Sequence, residues 1–119
     1  RWYESAQEEV RREKGIVIIN AQDEIMPTMI GTLCSMIARS GKVSEGTIVM
    51  GLARMPGRLT KVSMRVSGSG IDLFKLSTIV AGKIGGQAGG HKEAAGAIIP
   101  TISENDFIRI AIERIQKKR

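Results

Sequence analysis

Aromatic side chains are scarce in this 119-residue sequence, making up 3% of it. The complete set is Trp2, Tyr3, Phe74 and Phe107. Sheets and grooves that recognise nucleic acid by stacking successive bases need several exposed aromatic rings. The composition therefore disfavours an RNA-recognition sheet or a single-strand stacking groove.

Cysteine and long apolar runs are also nearly absent. With Cys34 as the single cysteine, the chain forms no internal disulfide, which suits a reducing compartment, and we expect the cytoplasm. No apolar run approaches the ~20 residues of a membrane span, so no membrane partner is expected. The first residue is Arg1 rather than Met, which is typical of a piece of a longer protein.

Metal-ligating side chains are few. The sequence has one histidine, His91, and three aspartates, Asp23, Asp72 and Asp106, two of which lie at predicted helix starts. Metal-assisted phosphoester hydrolysis needs several such ligands around one or two ions, so no complete metal site is expected. Cys34 and His91 would in principle supply a nucleophile and its base. The neighbouring apolar stripe favours a buried, structural cysteine instead.

Positive charge is concentrated in the middle of the chain. Residues 1–38 carry four basic and six acidic side chains, a net −2, and residues 93–119 carry five and four, a net +1. Residues 39–92 carry nine basic and two acidic side chains, a net +7. Such a block favours a polyanionic partner. The alternative is a solvated basic surface that binds nothing.

Apolar periodicity and glycine or proline signals predict alternating helices and strands. Helices are predicted over residues 2–13, 27–38, 72–84 and from 103 onward; strands are predicted over 16–20, 47–53, 60–67 and 97–99, and residues 85–90 are predicted to form a glycine-rich loop. This order predicts one α/β domain over residues 1–119, with a mixed sheet of about four or five strands flanked by helices.

Two segments are candidates for binding a ligand. In Arg65-Val66-Ser67, at a strand end, Arg65 and Ser67 lie on one face and offer donors to a phosphate near the following helix start. In the loop, Gly89 and Gly90 let a ligand approach the main chain, and His91 offers a hydrogen bond to a phosphate oxygen. The alternatives are an exposed polar strand face and a flexible turn whose histidine is satisfied by the core.

The string Gly89-Gly90-His91-Lys92-Glu93-Ala94-Ala95-Gly96 resembles the GGH-x-x-AAG signature of the DHH-associated C-terminal domain of DHH phosphoesterases. Arg65-Val66-Ser67 resembles the R-x-S element that precedes it in RecJ-like exonucleases and nanoRNases. The element order is similar over nearly the whole chain. The C-terminal region of alanyl-tRNA synthetases matches less well, because its motif lacks this histidine context.

The resemblance implies a two-lobed enzyme. An N-terminal DHH lobe would hold manganese or magnesium, and this domain would hold the substrate and bind no metal. Arg65 and Ser67 would hold a phosphate, while Gly89, Gly90 and His91 would face the scissile bond. Alone, the chain would lack the metal ligands and be inactive, with His91 at most assisting.

Three functions stay open. The first is a lobe that binds single-stranded nucleic acid or short oligonucleotides for a RecJ-like hydrolase. The second is the substrate lobe of a small-nucleotide phosphodiesterase or phosphatase, acting on a cyclic dinucleotide or on 3′-phosphoadenosine phosphate. The third is a protein-interaction module. Affinity that grows with strand length and falls with salt would distinguish the first from the second.

Overall fold

Alternating apolar residues along the central strands build a mixed sheet with helices on both faces. The computed structural model describes residues 10–13, 15–68 and 70–117, with the backbone alone for 10–13. The strands are β1 (Val10–Glu13), β2 (Ile16–Gln22), β3 (Ile48–Met55), β4 (Leu59–Val66), β5 (Gln87–His91) and β6 (Ala94–Pro100). The helices are α1 (Pro27–Ala38), α2 (Leu73–Ile84) and α3 (Glu104–Lys117), with a 3₁₀ turn over Thr101–Ser103.

The described strands form one sheet in the order β1-β2-β3-β4-β6-β5. Strands β2 and β3 are parallel and are joined through α1, whereas every other neighbouring pair is antiparallel. The predicted α/β class with a mixed sheet and flanking helices is confirmed, and the sheet has six strands within the described residues.

The two sheet faces belong to two separate cores. Helix α1 packs on β3 and β4 and buries one apolar set against the sheet. This set consists of Val17, Ile19, Ala21, Ile25, Ile30, Leu33, Cys34, Ala38, Val49 and Ala53. Helices α2 and α3 cover the opposite face, where Phe107 of α3 is fully buried. Strand alternation therefore sends odd and even positions of each strand into different cores.

Local signals place several element ends where they were predicted. Pro27 is the first residue of α1, and the Asp72 side chain caps α2 by accepting the backbone N–H of Lys75 at 3.1 Å. Gly85 ends α2 in the left-handed conformation with φ of 80°. The last helix begins at Glu104, because Ser103 lies in the preceding 3₁₀ turn.

Two predicted elements are wrong in the described residues. The predicted helix over 2–13 ends in a strand, since residues 10–13 pair with β2; its earlier part lies outside the described residues. The predicted loop over 85–90 contains most of β5, because that segment pairs with β6 along its length. In both cases cross-strand pairing with a distant segment overrides local sequence preference.

No helix within the described ranges is long and apolar enough to cross a membrane.

Candidate functional site

The glycine-histidine segment forms a hairpin. Gly89, Gly90 and His91 end strand β5, and Lys92-Glu93 form a two-residue turn into β6. The turn is fastened to the rest of the fold because Leu73 donates its N–H to the Lys92 carbonyl at 2.8 Å. The segment is therefore an ordered edge of the sheet rather than a flexible loop whose amides converge on a ligand.

Strand register brings Arg65 and His91 to the same place. Arg65 of β4 lies opposite Ala94 of β6, and Ala94 lies opposite His91 of β5. Residues directly opposite each other project to the same face, so Arg65 and His91 flank Ala94 on the α1 side of the sheet. Neighbouring strands are about 4.8 Å apart, which places the two backbones roughly 10 Å from each other. This spacing leaves room for a phosphate-sized group between the two side chains.

Helix α1 holds the Arg65 guanidinium in place. Nε of Arg65 donates to Oγ of Ser35 at 3.0 Å, and Nη1 donates to the carbonyls of Met64 at 2.9 Å and Ala95 at 3.5 Å. A Cβ at Gly31 would lie 2.7 Å from Nη2, so only glycine leaves the guanidinium its present position. Among the described residues, no hydrogen-bond acceptor is found for Nη2.

A small cavity of about 170 Å³ lies where these elements meet. It is lined by Ser35, Ala38, Arg39, Arg65, Val66, His91, Glu93 and Ala94. Arg39 and Arg65 supply two fixed positive charges, against one carboxylate from Glu93. A histidine that is exposed at the rim adds a further hydrogen-bonding group. The balance of charge and donors favours an anion.

The structure does not bring Ser67 into this cavity. Ser67 follows the last residue of β4, is exposed, and its carbonyl accepts the N–H of Gly46 at 2.6 Å. The nearby start of α2 is also unsuited to an anion, because the Asp72 carboxylate already caps it. Arg65 and His91 therefore share a site, whereas the predicted contribution of Ser67 through the helix start is not supported.

Neighbouring glycines of the signature have different environments. Gly90 has a φ of 118°, and a Cβ there would lie 2.5 Å from the Ala94 carbonyl oxygen. Gly89 has no heavy atom within 4 Å of the position a Cβ would take. Gly90 is thus required by the backbone itself, while Gly89 leaves open space above the sheet for something outside it.

The alternative use of Cys34 as a nucleophile is wrong. Its side chain projects from α1 into the core between the helix and the sheet, and burial raises the pKa of the Cys34 thiol to about 12. The thiol is therefore protonated at neutral pH and donates to the Ser63 carbonyl at 3.8 Å, while His91 is exposed. Within residues 10–13, 15–68 and 70–117, no three His, Cys, Asp or Glu side chains come together as a metal site would require.

Comparison with known families identifies the fold. A model of the DHHA1 domain family matches residues 14–117 of this sequence. The chain belongs to the DHHA1 domain family. The resemblance seen in the glycine-histidine signature is thereby confirmed, and the hairpin described above is the part of this DHHA1 domain that carries the signature. Among curated protein sequences, none matches the chain significantly.

Solved structures share the fold at low sequence identity. The C-Ala domain of Aquifex aeolicus alanyl-tRNA synthetase superposes with a TM-score of 0.64 at 14% identity, over 91% of this chain and 95% of that one. RecJ from Thermus thermophilus, solved with Mn²⁺, gives 0.66 at 18% over 98% of this chain. PggH, a pGpG-specific phosphodiesterase of Vibrio cholerae, gives 0.61 at 14% over 98%. The DHHA1 domain spans only 15% of the RecJ chain and 38% of the PggH chain.

Sequence reasoning missed the part of the site contributed by α1. Gly31 and Ser35 lie four residues apart on one side of α1, and Arg39 directly follows the last residue of the helix. The signal was present, since a glycine, a serine and an arginine recur at a spacing of four residues along and just beyond this helix. Their partner Arg65 is about 30 residues away in sequence, and only the packing of α1 on β4 shows that they meet.

Proposed function

We propose that this DHHA1 domain is the substrate-binding lobe of a DHH phosphoesterase and holds a phosphate of single-stranded nucleic acid or a short oligonucleotide. The observation that carries the proposal is the shared cavity of Arg65 and His91, which Arg39 also lines. Arginine held by Ser35 presents a preorganised guanidinium, and charge-assisted bonds to phosphate are the strongest hydrogen bonds available here.

The size of the cavity supports a terminal phosphate rather than a whole enclosed nucleotide. Sites that enclose a drug-sized ligand measure ~300–1,000 Å³, whereas this cavity measures about 170 Å³. The remainder of the substrate would lie outside it. Hydrolysis would take place on a separate DHH lobe that holds manganese or magnesium, and the enzyme would act as a cytoplasmic exonuclease or oligonucleotide hydrolase.

The second candidate is the substrate lobe of a small-nucleotide phosphodiesterase. The same small cavity is also consistent with this candidate, because the cavity is large enough for one phosphate of a small nucleotide. The two candidates differ in how affinity depends on strand length. A basic track that follows a strand gives affinity that rises with length and falls steeply with salt, and a single end-binding cavity does not.

The test is binding of the chain to a short 5′-phosphorylated single strand and to the same strand with a 5′-hydroxyl, at several salt concentrations. We expect the phosphorylated strand to bind more tightly, and Arg65→Lys to reduce that binding about tenfold because lysine loses the planar, Ser35-held fork. Arg109→Lys is the matched control, because Arg109 lies on α3 on the opposite face of the sheet. This variant should bind both strands as the natural chain does. Equal binding of both strands, with no effect of Arg65→Lys, would refute the proposal.

A second variant tests the role of His91. Because His91 is exposed, His91→Ala should leave the free energy of unfolding within about 0.5 kcal/mol. In the full-length enzyme we expect the same variant to slow turnover. Unfolding measurements on the chain and turnover measurements on the enzyme together decide this. A loss of several kcal/mol in stability would instead indicate a histidine that supports the fold.

A further inference from the structure

The two edges of the sheet differ in how they are protected. In the described part of the chain, β5 pairs with β6 on one side and has no strand on the other. The opposite edge strand, β1, carries Arg11, Arg12 and Glu13, and charged residues discourage pairing with a further strand. Strand β5 reads Gln-Ala-Gly-Gly-His, with no Lys, Arg, Asp, Glu or Pro to prevent such pairing. The β5 edge is therefore open to another strand.

The backbone groups that face outward from this edge belong to Ala88 and Gly90. Val66 donates its N–H to the Glu93 carbonyl at 3.2 Å, so Glu93 bonds toward β4. The next residue of the chain then bonds toward β5, where His91 lies opposite it. Because bonding directions alternate along an antiparallel strand, the N–H and C=O groups of Ala88 and Gly90 point away from β6. They provide the donors and acceptors for a further strand.

Helix α2 presents an exposed aromatic side chain beside this edge. The helix packs on both β5 and β6, and Lys83 on one of its sides lines a cavity together with α3. Phe74, Thr78 and Gly82 follow one another at four-residue spacing on the other side, next to the open edge. Phe74 is 41% exposed in a chain with only four aromatic residues. Exposed aromatic residues are enriched where proteins associate, so the edge and α2 together form an interaction surface.

The dimensions of this surface fit a second copy of the same chain. When two β5 strands pair across a twofold axis, the α2 helix of each copy lies over its own β5 and β6. The two helices are then two strand spacings apart, roughly 10 Å, which agrees with the distance of about 8–10 Å between packed helices. Helix α2 has 12 residues and β5 has 5, so both are roughly 17–18 Å long. One axis therefore passes near the middle of both elements.

We propose that the chain forms a symmetric dimer in which the β5 strands of two copies pair antiparallel about an axis at Gly89. Gly89 then lies opposite its own counterpart, and Gln87 lies opposite His91 of the second copy. This register uses the outward backbone groups of Ala88 and Gly90 and places no two like charges opposite each other. Residues opposite each other share a face, so Gln87 of the second copy joins His91 at the rim of the cavity.

The contact between the helices has the same symmetry. With the axis at Thr78, Phe74 of one copy faces Gly82 of the other, where no heavy atom lies within 4 Å of the position a Cβ would take. A large side chain meets an open space, and the symmetry repeats this contact. Antiparallel α2 helices also bring the positive end of one helix dipole beside the negative end of the other. This self-complementarity favours a second copy over an unrelated partner.

Sedimentation equilibrium at increasing chain concentration measures the dimer. Phe74→Lys should raise the dimer dissociation constant about tenfold or more, because symmetry makes the lost apolar contact count twice. Ile79→Lys is the matched control, since Ile79 is 39% exposed and lies four residues before Lys83 on the α3 side of the same helix. This control should dimerise as the natural chain does. A natural chain that is monomeric up to millimolar concentration, or equal weakening by both variants, would overturn the proposal.

Disulfide cross-linking tests the register in a chain that also carries Cys34→Ala. Gly89→Cys should form a linked dimer on air oxidation, because two residues that meet at the axis have Cα atoms about 4.5–5.5 Å apart, within disulfide range. Gln87→Cys is the matched control, since its two copies would lie four residue positions, roughly 14 Å, apart. Selective linking of Gly89→Cys supports the dimer. Linking of Gln87→Cys at the same rate, or of neither variant, would refute it.

Discussion

The two halves of the sheet are built differently. Strands β2, β3 and β4 are covered on both faces, and their interiors are β-branched or long apolar residues such as Ile48, Met50 and Val62. Strands β5 and β6 are covered on one face only and consist mostly of glycine and alanine. The first half supplies the core that stabilises the domain, while the second half presents a thin, open surface beside the charged cavity.

The difference shows how small residues serve opposite purposes within one fold. In the covered half, Gly51 has Cys34 Sγ 2.6 Å from the position of a Cβ, so glycine there lets a helix approach a strand. In the uncovered half, Gly89 has empty space above it. Replacement of Gly51 should therefore harm stability, whereas replacement of Gly89 should harm ligand binding.

The largest expected effect contrasts two adjacent glycines of β5. Gly90→Val should reduce the free energy of unfolding by about 3 kcal/mol, because its Cβ would clash with the Ala94 carbonyl and its φ is positive. Gly89→Val should change stability by about 0.5 kcal/mol or less, yet obstruct binding of a phosphorylated strand. Urea unfolding followed by circular dichroism, together with binding titrations, measures both. Equal losses of stability would show that the open space above Gly89 is filled.

The next effect concerns the covered half, where Cys34 is buried. Its folded pKa of about 12 lies above the ordinary value of 9.0. Below pH 9 the thiol is protonated in both states and has no influence on stability. Above pH 9 only the unfolded thiol ionises, so the free energy of unfolding falls as pH rises toward 12. Between pH 8.5 and pH 10 the loss should be about 1 kcal/mol larger in the natural chain than in Cys34→Ala.

Chemical unfolding of both proteins at the two pH values measures this difference, since other titrating groups are shared and cancel. The same burial predicts that iodoacetamide modifies Cys34 only after denaturant is added. Rapid modification of the folded chain at pH 8 would mean that α1 often separates from the sheet and that the reagent reaches Cys34 in the covered half without denaturant.

The smallest effect lies at the boundary between the two halves. Gly31→Ala would place a methyl group 2.7 Å from Nη2 of Arg65 and shift the guanidinium away from the cavity. We expect binding of a phosphorylated strand to fall about threefold, a fraction of the effect of a lost charge-assisted bond. Gly82→Ala is the matched control because Gly82 lies in α2 with open space around it.

The control should gain roughly 0.5–1 kcal/mol of stability from improved helix propensity and bind as before. Gly31→Ala should show little of that gain, because the displaced arginine loses its bond to Ser35. If Gly31→Ala binds a phosphorylated strand as tightly as the natural chain, the position of the Arg65 guanidinium does not contribute to binding.

Much of the fold followed from local patterns, and the exceptions have a common cause. Helix α1 was predicted from Pro27 and its apolar spacing, and β4 from strict alternation, because both patterns depend on neighbours in sequence. Strand β5 was predicted to be a loop, because Gly89 and Gly90 have no strand preference of their own and pair only since β6 lies beside them.

The sequence by itself determined the α/β class, the order of the central elements, the scarcity of metal ligands and the family signature around His91. Only the tertiary structure decided which residues meet. It joined Arg65 to His91 through the register of three strands, added Gly31 and Ser35 from α1 and Arg39 from just after that helix, and left Ser67 outside the cavity. The physical reason is that helix and strand periodicities are local properties of the chain, whereas a binding cavity depends on how distant elements pair and pack.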